Sequence, residues 1–166
     1  MRIRNALFFG MLLILLTACN GSPGGSAGNN IKIEDAWVRA AKAMPSQAQD
    51  GMSQGGEMGQ MSGSNSAAYL RILNIGSDAD ELLKASSTIA ASTELHISEE
   101  KDGVMTMHPV DSVGVPANGQ VELMPGGLHI MLIGINKDLV AGEKVVLTLD
   151  FKKAGEIQVE AEVRAP

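Results

Sequence analysis

Beyond position 30 the chain breaks into short apolar runs separated by turn signals at intervals of about 8–12 residues, the spacing of an all-β domain. The runs predict strands over 31–39, 67–74, 81–85, 93–97, 104–110, 120–124, 128–135, 144–151 and 156–163. The last two alternate most clearly. Val145, Leu147, Leu149 and Phe151 share one face, as do Ile157, Val159, Ala161 and Val163, with Gln158, Glu160 and Glu162 opposite. The pattern is that of a β-sandwich, with helix limited to one turn around 137–140. Asp102-Gly103 and Asn118-Gly119 are pairs that tolerate positive φ and predict two tight hairpins.

Two stretches depart from this pattern. The segment 43–66 is rich in Gly, Ser and Gln, lacks apolar periodicity, and predicts a loop. It carries Met44, Met52, Met58 and Met61, which are either tolerated exposed residues or an auxiliary set of soft metal ligands. At the start, Arg2 and Arg4 precede an apolar run too short to span a bilayer, the form of an export signal over 1–18. It ends in Leu16-Thr17-Ala18-Cys19, which resembles a lipobox with Cys19 as the acylated residue. The Gly/Ser/Asn run over 19–30 then reads as a tether to a membrane through that lipid anchor, leaving 31–166 as the folded domain.

Composition narrows the function. Cleavage before Cys19 removes two arginines and no acid, so the net charge of −6 becomes −8. An acidic domain with one Trp, one Tyr and three Phe has neither the charge nor the stacking surface for nucleic acid. Cys19 is the sole cysteine, so the domain has no disulfide and depends on packing for stability. No Ser/His/Asp order, HExxH motif or bridging His/Asp cluster supplies catalytic machinery, and the chain is read as a non-enzyme.

The chemistry lies in three histidines and the methionines near them. His129 interrupts the apolar strand 128–135; strand alternation sends it and Met131 to one face and Leu128, Ile130 and Leu132 to the other. Such a pair alone fits a structural histidine beside a core methionine. His96 and, on the partner strand of a predicted hairpin, Met105 and Met107 add imidazole and thioether donors. Neutral thioethers with imidazoles favour Cu(I) over hard cations, whereas zinc would prefer thiolate or carboxylate company. Without a Cys thiolate, the set is suited to binding and releasing copper rather than to electron transfer.

The order His96-x10-Met107-x21-His129-x-Met131 resembles the signature of the periplasmic copper chaperones called PCuAC. The segments DAWVRA, AAYLRILNIGSDADELLKASS, DGVMTMHPV and PGGLHIMLIG resemble the family over about 31–163. The resemblance implies a cupredoxin-like Greek-key β-barrel. It implies one Cu(I) held by His96, Met107, His129 and Met131, and no catalytic residue. It also implies delivery toward the binuclear copper site of cytochrome c oxidase subunit II, alongside a Sco-type copper protein. The chain departs from that pattern in its Met-rich segment and in lacking a His/Met-rich tail. The alternative is a copper storage or resistance lipoprotein. Location follows from the signal: the extracytoplasmic side, in the periplasm or on the outer face of the cell membrane. Met105 is read as lining the site, His108 as structural or supporting, and Trp37 as a core anchor.

Overall fold

The structure is a computed structural model that describes residues 30–43 and 64–165. The segment read as an export signal, Cys19, and Met44, Met52, Met58 and Met61 lie outside the described residues.

The described residues form ten strands: β1 (Ile31–Arg39), β2 (Ser66–Asn74), β3 (Asp80–Ser86), β4 (Ala90–Lys101), β5 (Val104–Pro109), β6 (Val113–Val115), β7 (Gly119–Leu123), β8 (Leu128–Ile135), β9 (Lys144–Phe151) and β10 (Gly155–Arg164). Among the described residues there is no helix. They hydrogen-bond in the order β5-β4-β8-β2-β1-β10-β9-β3-β6, with β7 also on β2. The all-β class is as the alternation predicts. The sheet folds over one core in which Leu70, Ile72, Leu82, Ile130, Leu132, Leu147 and Leu149 are fully buried. β9 alternates buried and outward residues as expected, and β10 pairs with it along its length.

The centre of the fold is β2. It holds β1 along one side, while its other side is shared: residues 66–68 pair with β8 and residues 70–74 with β7. β7 and β8 are thus two pieces of one line of chain, interrupted opposite Tyr69 by the turn at 124–127. That turn is closed by hydrogen bonds from the Met124 amide to the Leu128 carbonyl (2.8 Å) and from the Gly127 amide to the Met124 carbonyl (3.1 Å). Gly126 sits at φ 81°, where a side chain would be strained.

Several expectations are corrected. A turn does form at Asn118 (φ 49°), but it joins β6 to β7, which pair with different strands, so it is not a hairpin. Gly119 is not at positive φ; a Cβ there would lie 2.8 Å from the Pro116 ring, so close approach explains the glycine. Asp102-Gly103 does form the expected tight turn, with both residues at positive φ. No helical turn occupies 137–140: Leu139 instead exchanges backbone hydrogen bonds with Ala41. β6 is unforeseen because it is three residues long with a glycine at its centre.

Trp37 is half-buried rather than a core anchor. Ile33 lies opposite Ile72 and Val38 opposite Ala68, both on the core side, so the phase of β1 changes between them. The cause is a bulge between Glu34 and Trp37 with Asp35 at φ 50°. A bulge reverses the facing of every residue that follows it. Trp37 is thereby turned away from the core to stand beside Tyr69.

Candidate metal centre

Antiparallel neighbours directly opposite one another project from the same face of the sheet. On β4 and β8, His96 lies opposite His129 and Glu94 opposite Met131; on β4 and β5, Ser98 lies opposite Met107 and Glu100 opposite Met105. Residues two apart share a face as well. The register therefore brings His96, His129, Met131 and Met107 to one face of three adjacent strands, with Met105 at its margin. His108 lies opposite Ile97, on the other face, and is exposed.

The two histidines are each 4 % exposed and Met131 is 7 % exposed, whereas Met107, on the edge strand, is 53 % exposed. The imidazole centroids are 5.8 Å apart with planes inclined at 49°. A single ion bonded at about 2 Å from one nitrogen of each ring fits that separation.

Each ring is oriented by a different acceptor. The His129 Nδ1–H donates to the Gly127 carbonyl at 3.0 Å, which leaves the lone pair on Nε2. The same carbonyl accepts the Ser98 amide at 3.0 Å, so the interrupted line of chain that bears His129 is tied to β4 at that point. The His96 Nε2–H donates to the Glu94 carboxylate at 2.8 Å. Its Nδ1 is buried without a hydrogen-bond partner. A buried polar atom without a partner is uncommon and calls for a ligand, and a lone pair on imidazole is a good one for a soft ion. Among the described residues no three His, Cys, Asp or Glu side chains gather as a metal group, so further donors on this face would be thioethers.

Aromatic rings continue the row across the sheet. The Tyr69 ring is 6.3 Å from that of His129, Trp37 is 4.4 Å from Tyr69, and the Arg164 guanidinium stands 5.9 Å over Trp37. Glu94, Gly127 and Tyr69 were not singled out from the sequence. Glu94 had a usable signal, because it stands two residues before His96 on the same strand and so on the same face.

The LpqE-like family model matches residues 31–163, most of the chain. This chain belongs to the LpqE-like family. Among curated proteins, the LpqE-like chain is 29% identical over 170 residues to a Leifsonia xyli subsp. xyli protein named "Putative lipoprotein Lxx21020", covering 98% of this chain and 90% of the relative. Among solved structures it is similar to the copper-bound PCuAC domain from PmoF2, at 27% identity and a TM-score of 0.60, covering 82% of this chain and 94% of that one. Apo-DR1885 from Deinococcus radiodurans, at 23% identity and a TM-score of 0.57 over 98% and 97% of the two chains, shares the fold. The PCuAC resemblance read from the ligand spacing is thus matched by a likeness of fold to solved PCuAC domains.

The burial of His129 predicts a pH response. Burial, above all, holds His129 below the ordinary histidine value of 6.5; the hydrogen bond to the Gly127 carbonyl acts against it, and the neighbouring His96 and Arg39 lower it further. The unfolded chain therefore takes up a proton at His129 at a higher pH than the folded chain does. By linkage, folded stability falls as pH drops from 6.5 toward the lowered value, and levels off below it. Chemical denaturation of the metal-free protein across that window is expected to show the decline, and His129→Gln is expected to reduce it. An equal decline in His129→Gln would assign the response to other groups.

Proposed function

We propose that this LpqE-like chain is an extracytoplasmic Cu(I) chaperone whose ligands are His96, Met107, His129 and Met131. The observation that carries the reading is the unpartnered, buried Nδ1 of His96 beside a second imidazole with a free lone pair, on a face that also bears two thioethers. All four donors are neutral, as suits a monovalent soft ion. Solution of a related PCuAC domain with copper bound supports the choice of metal.

Transfer follows from the same donors. Thioethers bind copper less strongly than thiolates do, and Met107 lies at the exposed edge, so an acceptor offering two cysteine thiolates displaces it first and the buried histidines last. The acceptors of this reading are the copper site of cytochrome c oxidase subunit II and a Sco-type dithiol protein. Acylation at Cys19 would hold the domain at the membrane surface, a reading supported by the name of its Leifsonia relative.

The test loads the purified protein with Cu(I) and mixes it with a reduced, metal-free acceptor of either kind. One tightly held equivalent, passed on faster than copper dissociates into a chelator, is the expected result. Several retained equivalents, or transfer limited by free dissociation, would overturn the chaperone reading in favour of storage.

A further inference from the structure

We propose that Glu94 is a positioning residue for copper: by accepting the Nε2–H of His96 it fixes the tautomer that leaves Nδ1 free to bind the ion. The inference deepens the Cu(I) reading and rests on it.

The sheet register makes the contact local and reproducible. Glu94 and His96 are two apart on β4 and so share a face, and Glu94 lies across from Met131 on β8. The carboxylate is 49% exposed, the imidazole 4%, and Oε2 lies 2.8 Å from Nε2. Oε2 is placed to accept from Nε2, so in a neutral His96 the proton that makes this hydrogen bond is on Nε2. The other nitrogen then carries the lone pair, and it is this nitrogen that is buried without a partner. In the alternative tautomer, Nδ1 would bear a buried hydrogen with nothing to receive it, and Nε2 would set a lone pair against a carboxylate. Both contacts are unfavourable. The observed arrangement removes both and points to a single ligating atom.

A metal-bound imidazole whose second nitrogen donates to a carboxylate is better oriented and more basic than one hydrogen-bonded only to water. The two histidines differ in this respect. His129 donates to a neutral carbonyl fixed in the backbone. His96 donates to a side chain that mutation can remove without touching the chain path. Glu94 also places one negative charge next to a site whose four proposed ligands are neutral, offsetting the charge of the ion. Orientation and charge make different demands, and they separate in a pair of variants.

The experiment compares Glu94→Ala and Glu94→Gln with the unaltered protein. Imidazole 15N NMR of the metal-free proteins, above the ordinary histidine range, gives the tautomer directly. Cu(I) affinity is measured by competition with a chelator, and melting temperature verifies folding. The unaltered protein is expected to hold the His96 proton on Nε2. Glu94→Gln keeps an oxygen acceptor and is expected to keep that tautomer, with affinity within a few-fold. Glu94→Ala is expected to show mixed tautomers and to bind about 10–100-fold more weakly, the usual cost of losing an outer-shell partner. A proton found on Nδ1 in the unaltered protein would overturn the proposal. So would Glu94→Ala affinity equal to or above that of the unaltered protein, which would mean that Glu94 competes with copper for Nε2. Equal weakening in both variants with the tautomer unchanged would replace orientation with charge. Failure of the unaltered protein to bind Cu(I) would instead remove the functional reading, while the tautomer result would stand by itself.

Discussion

Replacing His129 by alanine is expected to weaken Cu(I) binding by more than about 100-fold, beyond the range associated with outer-shell partners, while the β-fold survives. The imidazole is one of two in the proposed ligand set, and its Nε2 is the free donor. The structural cost is limited. The Gly127 carbonyl loses one donor but keeps the Ser98 amide, so no buried acceptor is left bare, and the stability lost is about 1–2 kcal/mol. Met131→Leu preserves most of the volume of a buried side chain and is expected to cost less than about 1.5 kcal/mol while weakening copper binding. Met107→Ile is the cleanest companion, because the thioether it removes is half exposed and leaves little packing to disturb. Melting temperature and Cu(I) competition, measured on the same samples, check all three. A histidine with only a structural role would give the opposite result, with stability lost and affinity retained, and that outcome for His129→Ala would eliminate the site.

The largest effect on stability is expected far from the histidines. Asp80, at the start of β3, is buried, and its carboxylate accepts three backbone amides: Glu81 (2.8 Å) and Lys153 (2.9 Å) at Oδ1, and Ala154 (2.9 Å) at Oδ2. Two of these close the β9–β10 turn, more than seventy residues away in sequence. Asp80→Ala strands all three amides, and each unmade bond of this kind costs about 1–3 kcal/mol. The carboxylate lines a cavity of about 220 Å³ open to solvent, so water replaces part of what is lost. A total near 3 kcal/mol follows, a fall in melting temperature of roughly 10 °C for a domain of this size. Asp80→Asn keeps one oxygen and is expected to fall between. If Asp80→Ala melts within a degree or two of the unaltered protein, the β9–β10 turn does not depend on the carboxylate.

Asp80 also marks where sequence reading stops. Within SDADELL it is one turn acid among several, and nothing in the local pattern tells that its partners lie on a distant turn. Strand positions were legible from apolar runs punctuated by turn signals, and nine of the ten described strands overlap those runs. The period of two that burial on one face leaves was clear only in the last two. The bulge in β1 was not legible. Asp35 is an ordinary residue in an ordinary position, yet its backbone conformation decides that Trp37 faces the histidines and not the core. In the proposed site the ligand spacing was visible, because a signature is a property of order along the chain. The place of Glu94 on the face of His96 was legible from their spacing of two, but its role was not. Its role depends on which imidazole nitrogen holds the proton, and residue order carries no information about that. The single-face arrangement also required the β4–β8 register, which pairs residues more than thirty positions apart.

Among the described strands β5 pairs only with β4, and all six of its residues are exposed. Such an edge is the part of a sheet that opens most readily, at a free-energy cost well below that of global unfolding. With Met107 as a ligand, one quarter of the proposed coordination sphere rides on that labile edge while His129 and Met131 stand on a strand paired on both sides. Copper bound there would hold the edge closed by mass action, and the β5 amides are expected to exchange hydrogen more slowly as the ion concentration rises. On that reading, opening of the edge would set the rate of release, and the domain would surrender its cargo without becoming any less stable as a whole.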